Sequence, residues 1–147
     1  MLRRGALAYQ VRHGANYFDD LAALHDALGL GFRAGTLRGF VNLAAARAKD
    51  TFILGNAIDN ALADAFHDAL RALIDCSGTG AFNAVIYAPP LASPSSEDWC
   101  DFPVIARIVD RGSPAMLSSD IGALDVFAHN TIAADPFVVR EQLGFSP

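Results

Sequence analysis

The chain has no apolar run near the ~18 residues that a membrane-spanning helix needs, so nothing in it predicts a span. Positive charge is also sparse. No Lys/Arg cluster exceeds Arg3-Arg4, and the net charge is −5. A nucleic-acid backbone asks for a basic face, so that class of partner is not expected. The first residues, MLRRGALAYQVRHG, are basic but lack the apolar core of a secretion signal, and we expect a cytoplasmic protein. Cysteine is limited to Cys76 and Cys100, without metal-ligand spacing. In a reducing compartment they are expected as free, half-buried thiols rather than a disulfide.

The chemistry-bearing patterns are equally thin. His13, His25, His67 and His129 are scattered, and no two stand at the i, i+2 or i, i+4 spacing that places two imidazoles on one face. Ser93, Ser95 and Ser96 sit in a Pro- and Ser-rich loop with no His/Asp order around them. The Gly-containing run Ser77–Gly80 follows a helix, the wrong polarity for an anion. No catalytic residue, metal or cofactor is expected.

What is present is a core. Hydrophobic residues make up 52% and charged residues 18% of 147, a globular composition of single-domain length. The stretch Phe82–Arg111, FNAVIYAPPLASPSSEDWCDFPVIARIVDR, organises the rest. It reads as strands Phe82–Tyr87 and Pro103–Val109 joined by a polar crossing, in which Trp99 packs the loop onto the core. Phe82–Tyr87 is expected to be buried on one face and partly covered on the other. Arg107 interrupts an apolar run and points out of the core.

Upstream, ALAYQV suggests a short strand. Tyr17, Leu21, Leu24 and Leu28 recur at helical spacing between an Asn16 cap and a Gly29 stop. Gly31, Gly35 and Gly39 mark turns. Phe40–Leu43 and Thr51–Leu54 read as short strands joined by a turn near Lys49-Asp50. The clearest helix has Ile58, Leu62, Phe66, Leu70 and Leu73 on one stripe, capped by Asn56, with His67 on its wet flank. Ile121–Phe127 predicts a further strand. Asp135 and Pro136 open a closing helix. Short connections between neighbouring strands favour an α+β fold, an open antiparallel sheet with helices on one face. Residues 1–35 read as an N-terminal extension and 36–147 as the main domain.

The order of a helix, FNAVIYAPP, a loop with Trp99, PVIARIVDRG, and then SSDIGALDVFAHNTIAADPFVVREQL resembles the C-terminal half of galactose-1-phosphate uridylyltransferases, of the histidine-triad superfamily. The match covers about residues 50–143. It implies a histidine-triad-like open sheet of about five strands with two main flanking helices. The family's catalytic histidine motif belongs to its other half. Its H-x-H pair falls on Phe102–Ala106, which here reads Phe-Pro-Val-Ile-Ala and can neither ligate a metal nor shuttle a proton. The family's sugar-binding carboxylate falls on Asp125, with Leu124, Ser119 and Thr131 beside Asn130 replacing its polar companions.

The resemblance therefore implies a degenerate, non-catalytic domain that binds a nucleotide or sugar phosphate or pairs with a catalytic half; the alternatives are an active enzyme on nucleotide sugars and a dimerisation module, histidine-triad relatives being typically dimeric. The candidate binding residues are Asn83, Arg107, Arg111, Asp125 and Asn130. Arg107 and Arg111 suit a phosphate, or else pair with Asp101, Asp110 or Asp120. Asp125 either meets sugar hydroxyls or protects a sheet edge. Asn83 bonds either a ligand or a neighbouring loop.

Overall fold

The computed structural model describes residues 2–45, 48–92, 99, 101–112 and 134–145. Its elements run α1 (Leu2–His13), α2 (Tyr17–Ala27), β1 (Gly31–Ala34), β2 (Leu37–Val41), β3 (Thr51–Gly55), α3 (Asn60–Asp75), β4 (Phe82–Tyr87), β5 (Val104–Asp110) and α4 (Pro136–Gln142). The five strands form one antiparallel sheet in the order β1-β2-β3-β5-β4. The α+β class and the open antiparallel sheet agree with the sequence reading. The strand expected at Ile121–Phe127 lies outside the described residues.

One face of the sheet carries Phe32, Val41, Ile53, Val104, Ala106 and Ile108, and packs against Leu62, Ala65, Ala69 and Leu73 of α3 and Val139 of α4. The helix positions recur every three or four residues, so α3 turns one continuous stripe to the strands. Asp59, not Asn56, caps this helix: its carboxylate accepts from the Leu62 N–H at 3.0 Å. The helix therefore starts one turn later than expected, and Ile58 is left 65% exposed outside it. Asp135 caps α4 with Pro136 in its first turn, as read from sequence.

The opposite face is covered by the N-terminal helices. Ala6 of α1 and Phe18 of α2 join Phe102 and Ile105 in a second cluster, with Phe52, Leu54, Tyr87 and Trp99 around it. Trp99 holds its loop there, edge-on to Phe102 at 5.4 Å. ALAYQV is helical within α1, not a strand; its Ala, Leu and Gln favour helix and no alternation opposes them. The Tyr9 hydroxyl donates to Asp20 at 2.9 Å, tying α1 to α2. In α2 the Asn16 cap and Gly29 stop stand where expected, with Gly29 at φ 73°. Its buried stripe is Phe18, Ala22 and His25, one position off the expected leucines, and Leu24 is 52% exposed. His25 is buried against Phe40, rings 4.3 Å apart. Its Nδ1–H donates to the Leu21 carbonyl at 2.7 Å, and its Nε2 accepts from the Leu43 N–H at 3.1 Å.

Of the three glycines read as turn markers, only Gly35 is one, at φ 60° between β1 and β2. Gly39 pairs with Phe32 across the β1–β2 ladder, and a Cβ there would collide with the Phe32 ring and lie 3.0 Å from the Phe52 carbonyl. Gly31 is equally crowded by Asp26. These are strand glycines that admit a neighbouring side chain, a role invisible to turn statistics.

Candidate functional site

Asn83, Arg107 and Arg111 follow one parity on the β4–β5 ladder, where Val85 pairs with Arg107 and Asn83 with Val109. They share the face that α1 and α2 partly cover. Asn83 is exposed and Arg111 half-buried. Asp125 and Asn130 lie outside the described residues, so the structure brings three of the five expected residues to one face.

Arg107 is committed to a carboxylate. Its Nε donates to Asp50 Oδ1 at 2.7 Å and its Nη2 to Asp50 Oδ2 at 2.9 Å. Asp50 is fully buried and also accepts from Asn42 Nδ2 at 3.0 Å. The guanidinium lies over the Phe52 ring, 5.2 Å from its centroid. Burial acts to lower the Arg107 pKa, but bonds to Asp50 and the Tyr87 phenol outweigh it, and the net shift is upward. A bidentate pair in this setting is strong and directional. The expected ion-pair partners Asp101 and Asp110 are instead occupied elsewhere, by Gln10 and by Lys49, and Asp120 lies outside the described residues.

Next to this pair is a second polar knot. The turn at Lys49-Asp50 was expected, and Lys49 takes φ 52° to make it. Its ammonium donates to the Ser77 carbonyl at 2.7 Å and Thr79 Oγ1 at 3.2 Å, and pairs with Asp110 at 2.7 Å. All three donors are used, so the knot joins the start of β3 to the end of α3 and of β5.

The sequence reading missed a concave feature among the described residues. A groove of about 460 Å³ opens at the other end of the sheet, between the start of α2, the β1–β2 hairpin, the end of β3 and the approach to β5. Arg33 and Arg38 line it, directly opposite one another on β1 and β2. Arg38 pairs with Asp26 at 2.7 Å. Among the described residues, Arg33 has no ion pair. Like charges facing across a ladder oppose pairing by about 0.2–1 kcal/mol. Thr36, Asn16 and Asn56 add neutral hydrogen-bonding groups, and Asp19 and Asp101 add carboxylates. Asp101 accepts from Gln10 Nε2 at 3.0 Å through its side chain, and from Asn16 Nδ2 at 2.8 Å through its carbonyl. Phe102 and Pro103 form part of the wall. The signal that could have found this groove is the Arg-Ala-Gly-Thr-Leu-Arg run, two arginines equidistant from a hairpin turn, obscured by reading Gly31–Gly39 as loop.

The fold is that of uridylyltransferases. A solved uridylyltransferase matches 95% of this chain with a TM-score of 0.72 at 16% identity, and a mutant uridylyltransferase matches 95% with a TM-score of 0.71 at 15% identity. The chain spans about half the length of these proteins, 47% and 49% respectively. No family model matches the sequence, and neither does any curated protein. Among the described residues no group of three or more His, Cys, Asp or Glu is placed to hold a metal, and no helix is long and apolar enough to cross a membrane. Cys76 is exposed rather than half-buried, because it caps the last turn of α3 beyond the buried stripe; Cys100 lies outside the described residues.

Proposed function

We propose that this chain is a non-catalytic domain of the galactose-1-phosphate uridylyltransferase type that binds a nucleotide or sugar phosphate, and that the groove at Arg33 and Arg38 is where it does so. The observation that carries the reading is the facing arginine pair, one member of which has no carboxylate among the described residues. A phosphate beside Arg33 gives that guanidinium a forked acceptor, with Arg38, already paired with Asp26, adding positive charge opposite. Asp19 and Asp101 line the same groove as acceptors for hydroxyls, so it offers both halves of what a sugar phosphate needs. Its volume is within the usual range for small-molecule sites.

The absence of chemistry rests on the same wall. Phe102 and Pro103 belong to the segment Phe102–Ala106 where the family resemblance sets its imidazoles, and Phe102, Val104, Ile105 and Ala106 are buried hydrocarbon here. Such side chains position and desolvate; they do not transfer a proton or a nucleotidyl group. Asn83 and Arg111, farther along the same face of the sheet, are the second candidate contact for a longer ligand.

Calorimetry with uridine and adenosine nucleotides, hexose 1-phosphates and inorganic phosphate tests the reading. Saturable binding is expected, weakened about tenfold or more by Arg33→Gln, the loss of one charge-assisted fork. Binding unchanged in Arg33→Gln removes the groove from the proposal. Turnover of a nucleoside-diphosphate sugar by the purified chain overturns the non-catalytic reading.

A further inference from the structure

Asp26 is not in the lining of the groove, yet it holds one of the two arginines that are. It sits in the last turn of α2, and its Oδ2 accepts from Arg38 Nη2 at 2.7 Å. Room for the carboxylate comes from β1. A Cβ on Gly31 would fall on Asp26 Oδ1, so the carboxylate rests over a strand residue that has no side chain. Three elements thus place the pair: the end of α2, the start of β1 and β2. Stability does not account for it. A carboxylate in the last turn of a helix opposes the macrodipole, and a half-exposed ion pair adds little to a fold. Nor does the side chain close the helix, since the Gly29 N–H donates to the main-chain carbonyl of Asp26.

The effect of Asp26 is on the charge of the groove. Among the described residues the lining holds two cations, Arg33 and Arg38, and two anions, Asp19 and Asp101. With Arg38 neutralised by Asp26, Arg33 is the cation left for an anionic ligand. Resting on the phosphate-binding reading of the groove, we infer that Asp26 is a specificity-determining residue: by holding Arg38 it limits the groove to one phosphoryl group and disfavours two linked ones. Residues paired across a ladder stand roughly 5 Å apart. Two free guanidinium forks at Arg33 and Arg38 would therefore suit two phosphoryl groups sharing an oxygen, whereas one free fork suits one. Asp19 and Asp101 act in the same direction, because a second phosphate brings charge that a groove with two carboxylates does not balance.

Calorimetry on the full chain with inorganic phosphate and with pyrophosphate tests this. In the wild type pyrophosphate should gain little over phosphate. Asp26→Asn keeps the size of the side chain and removes its charge. It should tighten pyrophosphate about tenfold, the scale of one added charge-assisted contact, and phosphate by less. Arg38→Gln added to Asp26→Asn should abolish that gain. Asp64→Asn, exposed on α3 across the sheet from the groove, removes the same charge and should leave the preference as in the wild type. A gain in affinity cannot come from partial unfolding, so the result does not depend on how well the variant folds. Phosphate binding that Arg33→Gln weakens, with an unchanged pyrophosphate preference in Asp26→Asn, overturns the role of Asp26 alone. So does a gain that survives Arg38→Gln or that Asp64→Asn reproduces. A wild type that already prefers pyrophosphate by about tenfold has Arg38 free in spite of Asp26, and overturns it too. Absence of phosphate binding in every variant overturns the phosphate-binding reading and the role of Asp26 with it.

Discussion

Two arginines that look alike in the sequence have opposite circumstances in the structure. Arg107 neutralises a carboxylate that is fully buried and held from a second side by Asn42. Arg33 faces another arginine at the lip of a groove. Substituting Arg107 therefore acts on folding first. Arg107→Ala removes the bidentate partner of a buried carboxylate, and breaking a buried pair in this way costs about 3–5 kcal/mol. The expected outcome is a large fall in the urea midpoint with an unchanged slope. A variant as stable as the wild type would show that water or a rearranged side chain reaches Asp50. Loss of ligand binding in Arg107→Ala is not informative unless folding is measured on the same sample, whereas Arg33→Gln at an exposed position is free of that ambiguity.

At the scale of elements, the β1–β2 hairpin shows why a sequence misleads. Gly39 sits in a strand because Phe32 occupies the space over it. Gly39→Ala should destabilise the fold by about 1–3 kcal/mol, the usual cost of overpacking, and Phe32→Leu in the same chain should recover part of it. Denaturant unfolding of the two single variants and the double variant measures that coupling, and additive losses would show that the ring is not what excludes a Cβ. Helix α3 was legible from sequence because its apolar residues repeat over four turns, long enough for the period to stand out. The caps of α2 and α4 were legible because Asn and Asp compete for backbone N–H groups in a recognisable way. The hairpin was not, because three glycines in nine residues look like a loop unless one knows which ring lies over them. The groove was missed with it. The exposure of β4, where Phe82–Ile86 are exposed rather than covered, was missed for another reason: alternation reports which side chains share a face, not whether anything covers that face.

At the scale of the whole molecule, the sheet has helices on both faces, and the two N-terminal ones contribute unequally. α1 buries only Ala6, whereas α2 buries Phe18, Ala22 and His25. Removing residues 1–14 should lower stability by about 1–2 kcal/mol, the scale of one or two side chains, with thermal unfolding still cooperative. Loss of the cooperative transition would show that α1 is needed to hold α2 on the sheet. What the sequence did convey at this scale, an open antiparallel sheet with α3 and α4 on one face, followed from strand order and short connections, which constrain topology even where single residues are misread.

Lys49 is the one lysine in the sequence, and its side chain is only 15% exposed, with every ammonium proton already shared. Amine-directed reagents thus meet a folded protein whose side chains offer them almost nothing. A fluorophore or surface tether applied gently will leave Lys49 untouched while the fold holds. Acylation at Lys49, when it does occur, becomes a chemical record of how often the chain has come apart.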